Sequence, residues 1–147
     1  PFLAEDLGLI TNEVRLLRDQ AGLPGMAVLQ FAFDGDPENL YLPHNLAQNL
    51  VLYLGTHDND TVSGWYDNAD EEIRGNFRSY LNVSGEFPAW DLLRFAYRTI
   101  SPLVIVPLQD LLGLGSEARF NCPGEAFGNW QWRMSYSQLD SLFESSK

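Results

Sequence analysis

The sequence predicts an α/β fold in which helices cover a parallel sheet, and three observations predict it. Residues 26–33, 49–54 and 103–108 are apolar runs of strand length with few polar interruptions, the pattern of strands buried on both faces. Segments with apolar residues three and four positions apart, the period of amphipathic helices, lie between them. Each run ends in acidic and turn-forming residues, where a chain leaves a sheet.

Taken in order, Pro1 to Ala4 is short and apolar and reads as the tail of a strand, ending at Glu5-Asp6. Thr11 is placed to cap a helix whose Val14, Leu17 and Ala21 share a face, and Gly22 and Pro24 stop it. Met26 to Phe33 reads as a strand closed by the turn cluster Asp34-Gly35-Asp36-Pro37. A polar loop, 38–48, contains Pro43-His44-Asn45 and leads to a second strand, Asn49 to Leu54. Asp70-Glu71-Glu72 suits a helix start, where carboxylates meet the positive end of the helix dipole, with Ile73, Phe77 and Tyr80 on one face. Trp90, Leu93, Tyr97 and Ile100 form a further helical stripe, stopped by Ser101-Pro102. Leu103 to Leu108 is the third strand, ending in Gln109-Asp110. Residues 113–132 are Gly-rich, aromatic and irregular, and Ser137 to Glu144 is a last short helix.

No repeat or linker divides the 147 residues, which make one domain or part of one. The chain opens at Pro1 with no methionine and reaches two carboxylates within six residues, as if cut from something longer. Nine basic against 20 acidic residues leave a net charge of −11. That balance argues against nucleic-acid binding, which needs clustered Lys and Arg. No run approaches the ~20 apolar residues that span a bilayer, and no signal peptide is visible. One cysteine, Cys122, forms no internal disulfide and fits a reducing compartment. With His44 and His57 it is too little for a structural zinc site.

Glu5-Asp6, Asp34-Asp36, His57-Asp58-Asp60 and Gln109-Asp110 each follow an apolar run. In a parallel α/β fold those places share the C-terminal edge of the sheet, where ligand sites form. An anionic rim suits a cation, or a transition state carrying positive charge such as the oxocarbenium of glycoside cleavage. Plainer readings stand beside this one. Glu5 and Asp6 are also suited to capping, and Asp34 to Pro37 is an ordinary turn by composition. Thr56 to Asp60 is harder to assign to packing, because five polar side chains after a buried strand need partners or a ligand. His57 alone would fit a hydrogen-bonded core histidine. Neither acidic run has the Gly and terminal Glu of a calcium loop. Trp65, Trp130 and Trp132 fit a core as well as a sugar platform.

Together these residues carry a resemblance. Ala4-Glu5-Asp6-Leu7-Gly8, Leu23-Pro24-Gly25-Met26, Leu29-Gln30-Phe31-Ala32-Phe33 and Leu42-Pro43-His44-Asn45 resemble the 4-alpha-glucanotransferase (amylomaltase, disproportionating enzyme) family. Gly55-Thr56-His57-Asp58-Asn59-Asp60-Thr61, Pro107-Leu108-Gln109-Asp110-Leu111-Leu112-Gly113 and Gly128-Asn129-Trp130-Gln131-Trp132-Arg133 continue it in the family's order. The resemblance implies the C-terminal part of a (β/α)8 TIM barrel, from the end of strand 5 through strand 8, with residues 1–147 a portion of one catalytic domain. It implies retaining transfer of 1,4-alpha-glucan segments to the 4-hydroxyl of a glucan or glucose, with maltooligosaccharides as partners and neither nucleic acid nor membrane. Neither cofactor nor metal is implied. The expected compartment is bacterial cytoplasm or plastid, without secretion.

By motif position Glu5 matches the general acid/base, and Asp58 the carboxylate that holds sugar hydroxyls and stabilises the distorted transition state. His57 matches its sugar-binding neighbour, while Asp34, Phe31 and Asn121 match substrate contacts. The family's nucleophile, an Asp in an Arg-x-Asp-His type motif, has no counterpart here. An alpha-amylase-type hydrolase shares the carboxylate logic but not the Pro107–Gly113 and Gly128–Arg133 motifs. A non-catalytic glucan-binding or vestigial fragment is the reading from a different class.

Overall fold

The computed structural model of the chain describes residues 2–144. Three parallel strands form one sheet in the order β1-β2-β3: β1 (Gly25–Val28), β2 (Leu50–Tyr53) and β3 (Leu103–Ile105). Gly25 pairs with Leu50 and Val51 with Leu103, so the strand starts are aligned and their C-terminal ends share one edge. Among the described residues the chain also forms six α-helices: α1 (Asn12–Gln20), α2 (Val62–Asn68), α3 (Glu71–Leu81), α4 (Pro88–Ala96), α5 (Leu108–Leu111) and α6 (Tyr136–Glu144).

The core lies under β1 and β2. Leu29, Leu52, Leu54, Val62, Phe77 and Leu92 are fully buried, each such side chain contributing roughly 1.5–3 kcal/mol by leaving water. Phe77 of α3 meets Phe33 edge-on at 5.0 Å and Tyr66 at 5.1 Å, so the Ile73-Phe77-Tyr80 face packs as expected. Asp70 stands at the N-cap of α3 and Asn82, in the left-handed region, ends it.

Four expectations are corrected. Residues 2–4 form no strand; Ala4 N–H donates to Pro24 O at 2.9 Å as the chain passes the start of β1. The run 26–33 is strand only to Val28, then a 3₁₀ turn at Leu29–Phe31 with Gln30 buried, because Gln30 is needed beneath the loop after β2. The third run stops at Ile105, since Pro107 cannot extend the ladder, and Leu108 begins α5. Helix α4 ends at Ala96, leaving Tyr97 and Ile100 exposed. Its buried face is Ala89, Leu92, Leu93 and Ala96, and small residues there let the helix approach its neighbours closely. Helix α1 begins after Thr11 as expected, yet its stripe is exposed, with Val14 at 47% and Leu17 at 67%.

Candidate functional site

The segment carrying Glu5 has no regular structure, so something else must hold it. Its neighbour Asp6 does so: one carboxylate oxygen pairs with Arg18 of α1, and the other accepts the Met26 amide of β1 at 2.7 Å. A Cβ on Gly25 would stand 2.5 Å from Arg18 Nη1 and 2.7 Å from Asp6 Oδ2, so any larger residue there has to push the ends of these two side chains aside. Glu5 itself is exposed, and no described residue bonds its carboxylate.

The loop after β2 is built by its own polar side chains. Asn59 Oδ1 accepts both the Thr56 amide and the Thr56 hydroxyl at 2.8 Å. Thr61 caps α2 by accepting the Gly64 amide at 3.0 Å. Neighbouring segments tie the loop down. Gln30 donates to the Asp60 carbonyl at 2.8 Å, and Ser116 donates to Asp60 Oδ2 at 2.6 Å. Asp110, at the start of α5, accepts the Val62 amide at 2.7 Å.

The irregular stretch after α5 closes the arrangement. Asn121 donates to Asp58 Oδ1 at 2.6 Å, and Arg119 donates to the carbonyls of Asp58 and Asn121 at 2.8 and 2.9 Å. Trp130 packs at 5.1 Å from the His57 ring and edge-on to Phe120 at 4.8 Å. Its φ of 63° is uncommon for a bulky residue, and its N–H donates to Phe120 O at 2.7 Å. Backbone strain of about 1–3 kcal/mol is thus held where an aromatic face meets His57.

A cleft of about 520 Å³ opens at the C-terminal edge of the sheet, lined by Glu5, His57, Asp58, Asp60, Asp110 and Trp132 among others. His57 Nε2 lies 3.3 Å from Asp58 Oδ1, with both side chains at least half exposed. Asp58 Oδ2 has no protein partner among the described residues. Asp110 is buried, with Oδ2 unpaired. Burial pushes its carboxyl up to about 6; the Val62 amide opposes that shift and the charge of Asp60 adds to it. Exposed carboxylates from two chain segments, beside a histidine and an aromatic wall, can exchange protons with a bound molecule and stabilise positive charge developing on it.

The structure thus brings Glu5, His57 and Asp58 into one cleft and joins Asn121 to it through Asp58. Asp34 and Phe31 are outside that lining. Asp34 accepts the Asp36 amide and the Asn39 side chain at 3.0 and 2.9 Å, as in a local Asx turn, and Phe31 packs edge-on to Tyr41. Asp6, grouped with the acidic rim in the sequence, is an anchor. His44 is engaged away from the cleft by Tyr80, at 2.6 Å. Sequence reasoning missed Arg119 and Ser116, which lie in no quoted motif, and gave Gln30 no role although it lies within Leu29-Gln30-Phe31-Ala32-Phe33; all three act on the backbone or side chains of the loop. Only the scarcity of cations in so acidic a chain marks Arg119.

Comparison with known proteins places these features in a family. The family model for 4-alpha-glucanotransferase matches residues 1–139. The chain is 49% identical over 143 residues to the chloroplastic/amyloplastic 4-alpha-glucanotransferase of Arabidopsis thaliana, covering 96% of this chain and 25% of that protein. It is 50% identical over 142 residues to the 4-alpha-glucanotransferase of Synechocystis, covering 95% and 28%. Amylomaltase from Streptococcus agalactiae, solved in complex with acarbose, superposes with a TM-score of 0.89 at 34% identity, covering 97% of this chain and 30% of that one. The chain therefore spans between a quarter and a third of the length of these relatives, and it belongs to the 4-alpha-glucanotransferase family.

Proposed function

We propose that this chain is the C-terminal portion of the catalytic domain of a 4-alpha-glucanotransferase, running from the end of strand 5 through strand 8 of a (β/α)8 barrel. Sequential parallel order with aligned starts supports β1, β2 and β3 as consecutive barrel strands. The single observation that carries the functional reading is that Glu5, His57 and Asp58, matched by motif to the family's acid/base and sugar-binding residues, line one cleft.

In this reading the cleft takes a maltooligosaccharide, in keeping with acarbose in the Streptococcus agalactiae relative. The Glu5 carboxylic acid gives its proton to the glycosidic oxygen as the C1–O bond breaks. A carboxylate outside this chain attacks C1, forming a glycosyl-enzyme and leaving Glu5 ionised. Glu5 then takes the proton from an acceptor 4-hydroxyl as that oxygen attacks C1, which frees the nucleophile and restores the anomeric configuration. Asp58, with Oδ2 free, accepts sugar hydroxyls and stabilises positive charge as the ring flattens. His57 binds beside it. Asn121, through the pair it makes with Asp58, is a further substrate contact in this reading, as are Asp34 and Phe31 for sugar units extending beyond the cleft lining. The compartment is bacterial cytoplasm or plastid.

Incubating the full-length enzyme carrying this segment with maltotriose tests the reading. Glucose and longer maltooligosaccharides should form with no net gain in reducing ends, and Glu5→Ala should abolish both. A rise in reducing ends would mark a hydrolase, and no turnover would mark a non-catalytic protein; either overturns the proposal.

A further inference from the structure

Resting on the proposed function, we propose that Arg119 is a positioning residue for transfer, locking the Asp58–Asn121 pair into the geometry that presents Asp58 to the sugar. Asp58 and Asn121 come from different segments, one after β2 and one after α5, and their side chains meet in a single bond at 2.6 Å. Asp58 is half exposed, and one exposed hydrogen bond holds a loop weakly. Arg119 supplies a second tie between the same two residues on their main chains. Its Nη2 donates to the Asp58 carbonyl at 2.8 Å and its Nε to the Asn121 carbonyl at 2.9 Å.

A planar guanidinium presents donors in a fixed fork, so it sets the spacing of the two carbonyls; a lysine ammonium offers no rigid fork. Arg119 has no carboxylate partner within salt-bridge distance among the described residues, although Glu5, Asp58 and Asp60 line the same cleft. Its hydrogen bonds go to main-chain carbonyls. The guanidinium is used as a brace in a cleft that otherwise holds carboxylates.

The test is a double-mutant cycle in the full-length enzyme on maltotriose. Arg119→Ala should lower kcat roughly ten- to a hundredfold, the scale of a misplaced catalytic group, with KM changed less than about threefold. Arg119→Lys should recover part of the loss, and added guanidinium should partly rescue Arg119→Ala. In an Asp58→Asn background Arg119→Ala should cost little more, because it acts through Asp58. Losses that multiply, or a fall in activity explained by a matching fall in melting temperature in both Arg119 variants, would overturn the proposal. A crystal structure of Arg119→Ala separates this failure from failure of the function. The Asp58–Asn121 bond should be broken or lengthened whatever the wild type catalyses, and an unchanged bond would contradict the brace. Wild-type protein that transfers no glucan would instead count against the proposed function.

Discussion

Asn121 donates its side-chain amide to Asp58 Oδ1 at 2.6 Å, joining two residues 63 positions apart in the chain. One Asp58 oxygen is thereby occupied by protein, while the other has no protein partner among the described residues.

An acceptor in place of that donor should be worse than no side chain at all. Asn121→Ala removes one hydrogen bond to a charged group, about 1.5–3 kcal/mol, and should slow transfer about ten- to a hundredfold. Asn121→Asp sets two carboxylates against each other and should slow it further. Steady-state kinetics of both variants checks the order, and equal losses would remove the role given to the amide.

The anchor under Glu5 can be tested without touching the cleft. Gly25→Ala places a methyl against the side-chain ends of Arg18 and Asp6, and Asp6→Ala leaves the Met26 amide without its partner and Arg18 with Asp19 alone. Asp6→Ala should cost about 2 kcal/mol of stability and reduce kcat, because Glu5 is the residue before it in the chain, and Gly25→Ala should cost less, since the two side-chain ends can shift. Urea unfolding alongside kinetics reports both, and full activity in Asp6→Ala would show that Glu5 needs no such support.

Asp110 makes stability depend on pH. Its folded pKa is raised to about 6, so the folded state holds a proton that the unfolded chain, titrating near 4, has released. Its contribution is present in full below about pH 4 and is lost as pH rises through about 6. Asp110→Asn, which carries no charge to bury, should therefore gain urea resistance relative to wild type between about pH 4 and pH 7. A gap in midpoint that stays constant over that range would contradict the shift.

If the proposed roles of Glu5 and Asp58 are right and the nucleophile is supplied from outside these 147 residues, the chain by itself should not disproportionate maltotriose. Removing a catalytic member of such a set costs several powers of ten, roughly. The chain should also bind hydrophobic dye or self-associate, since Leu103 and Ile105 of the edge strand β3 are 51% and 40% exposed and the α1 stripe is uncovered. Glucose release above a Glu5→Ala control would refute the first expectation, and a sharply melting monomer in ultracentrifugation and calorimetry the second.

Much of the scaffold was legible because unbroken apolar runs, caps and turn residues act locally. Thr11 and Asp70 stand at helix starts where their local chemistry places them, although neither side chain makes a capping hydrogen bond, and the run 50–53 is a strand. Where the reading failed, the cause is a partner distant in sequence. Leu29 to Phe31 leave the strand although every apolar cue favours extension, because Gln30 is buried and reaches across to Asp60. The α4 face centres on Ala89 and Ala96, whose small side chains pack more closely than the larger Trp90 and Tyr97 that marked the stripe. In the site, Glu5, His57 and Asp58 were legible as polar residues at the ends of apolar runs. Asp6 was not separable from Glu5, since only the fold brings Arg18 and the Met26 amide to one and not the other.

The role of Glu5 is the claim on which most depends, and an activated donor tests it most directly. A maltooligosaccharide needs its leaving oxygen protonated, whereas alpha-maltosyl fluoride leaves without a proton. In the full-length enzyme, Glu5→Gln should suppress transfer from maltooligosaccharides while largely sparing the first step with the fluoride. The covalent glycosyl-enzyme should then accumulate in intact-protein mass spectrometry, because no base remains to activate the acceptor. Asp58→Asn should impair both donors, with a larger loss in kcat than in binding. If Glu5→Gln slows the fluoride as much as the oligosaccharide and no adduct appears, Glu5 is not the acid/base.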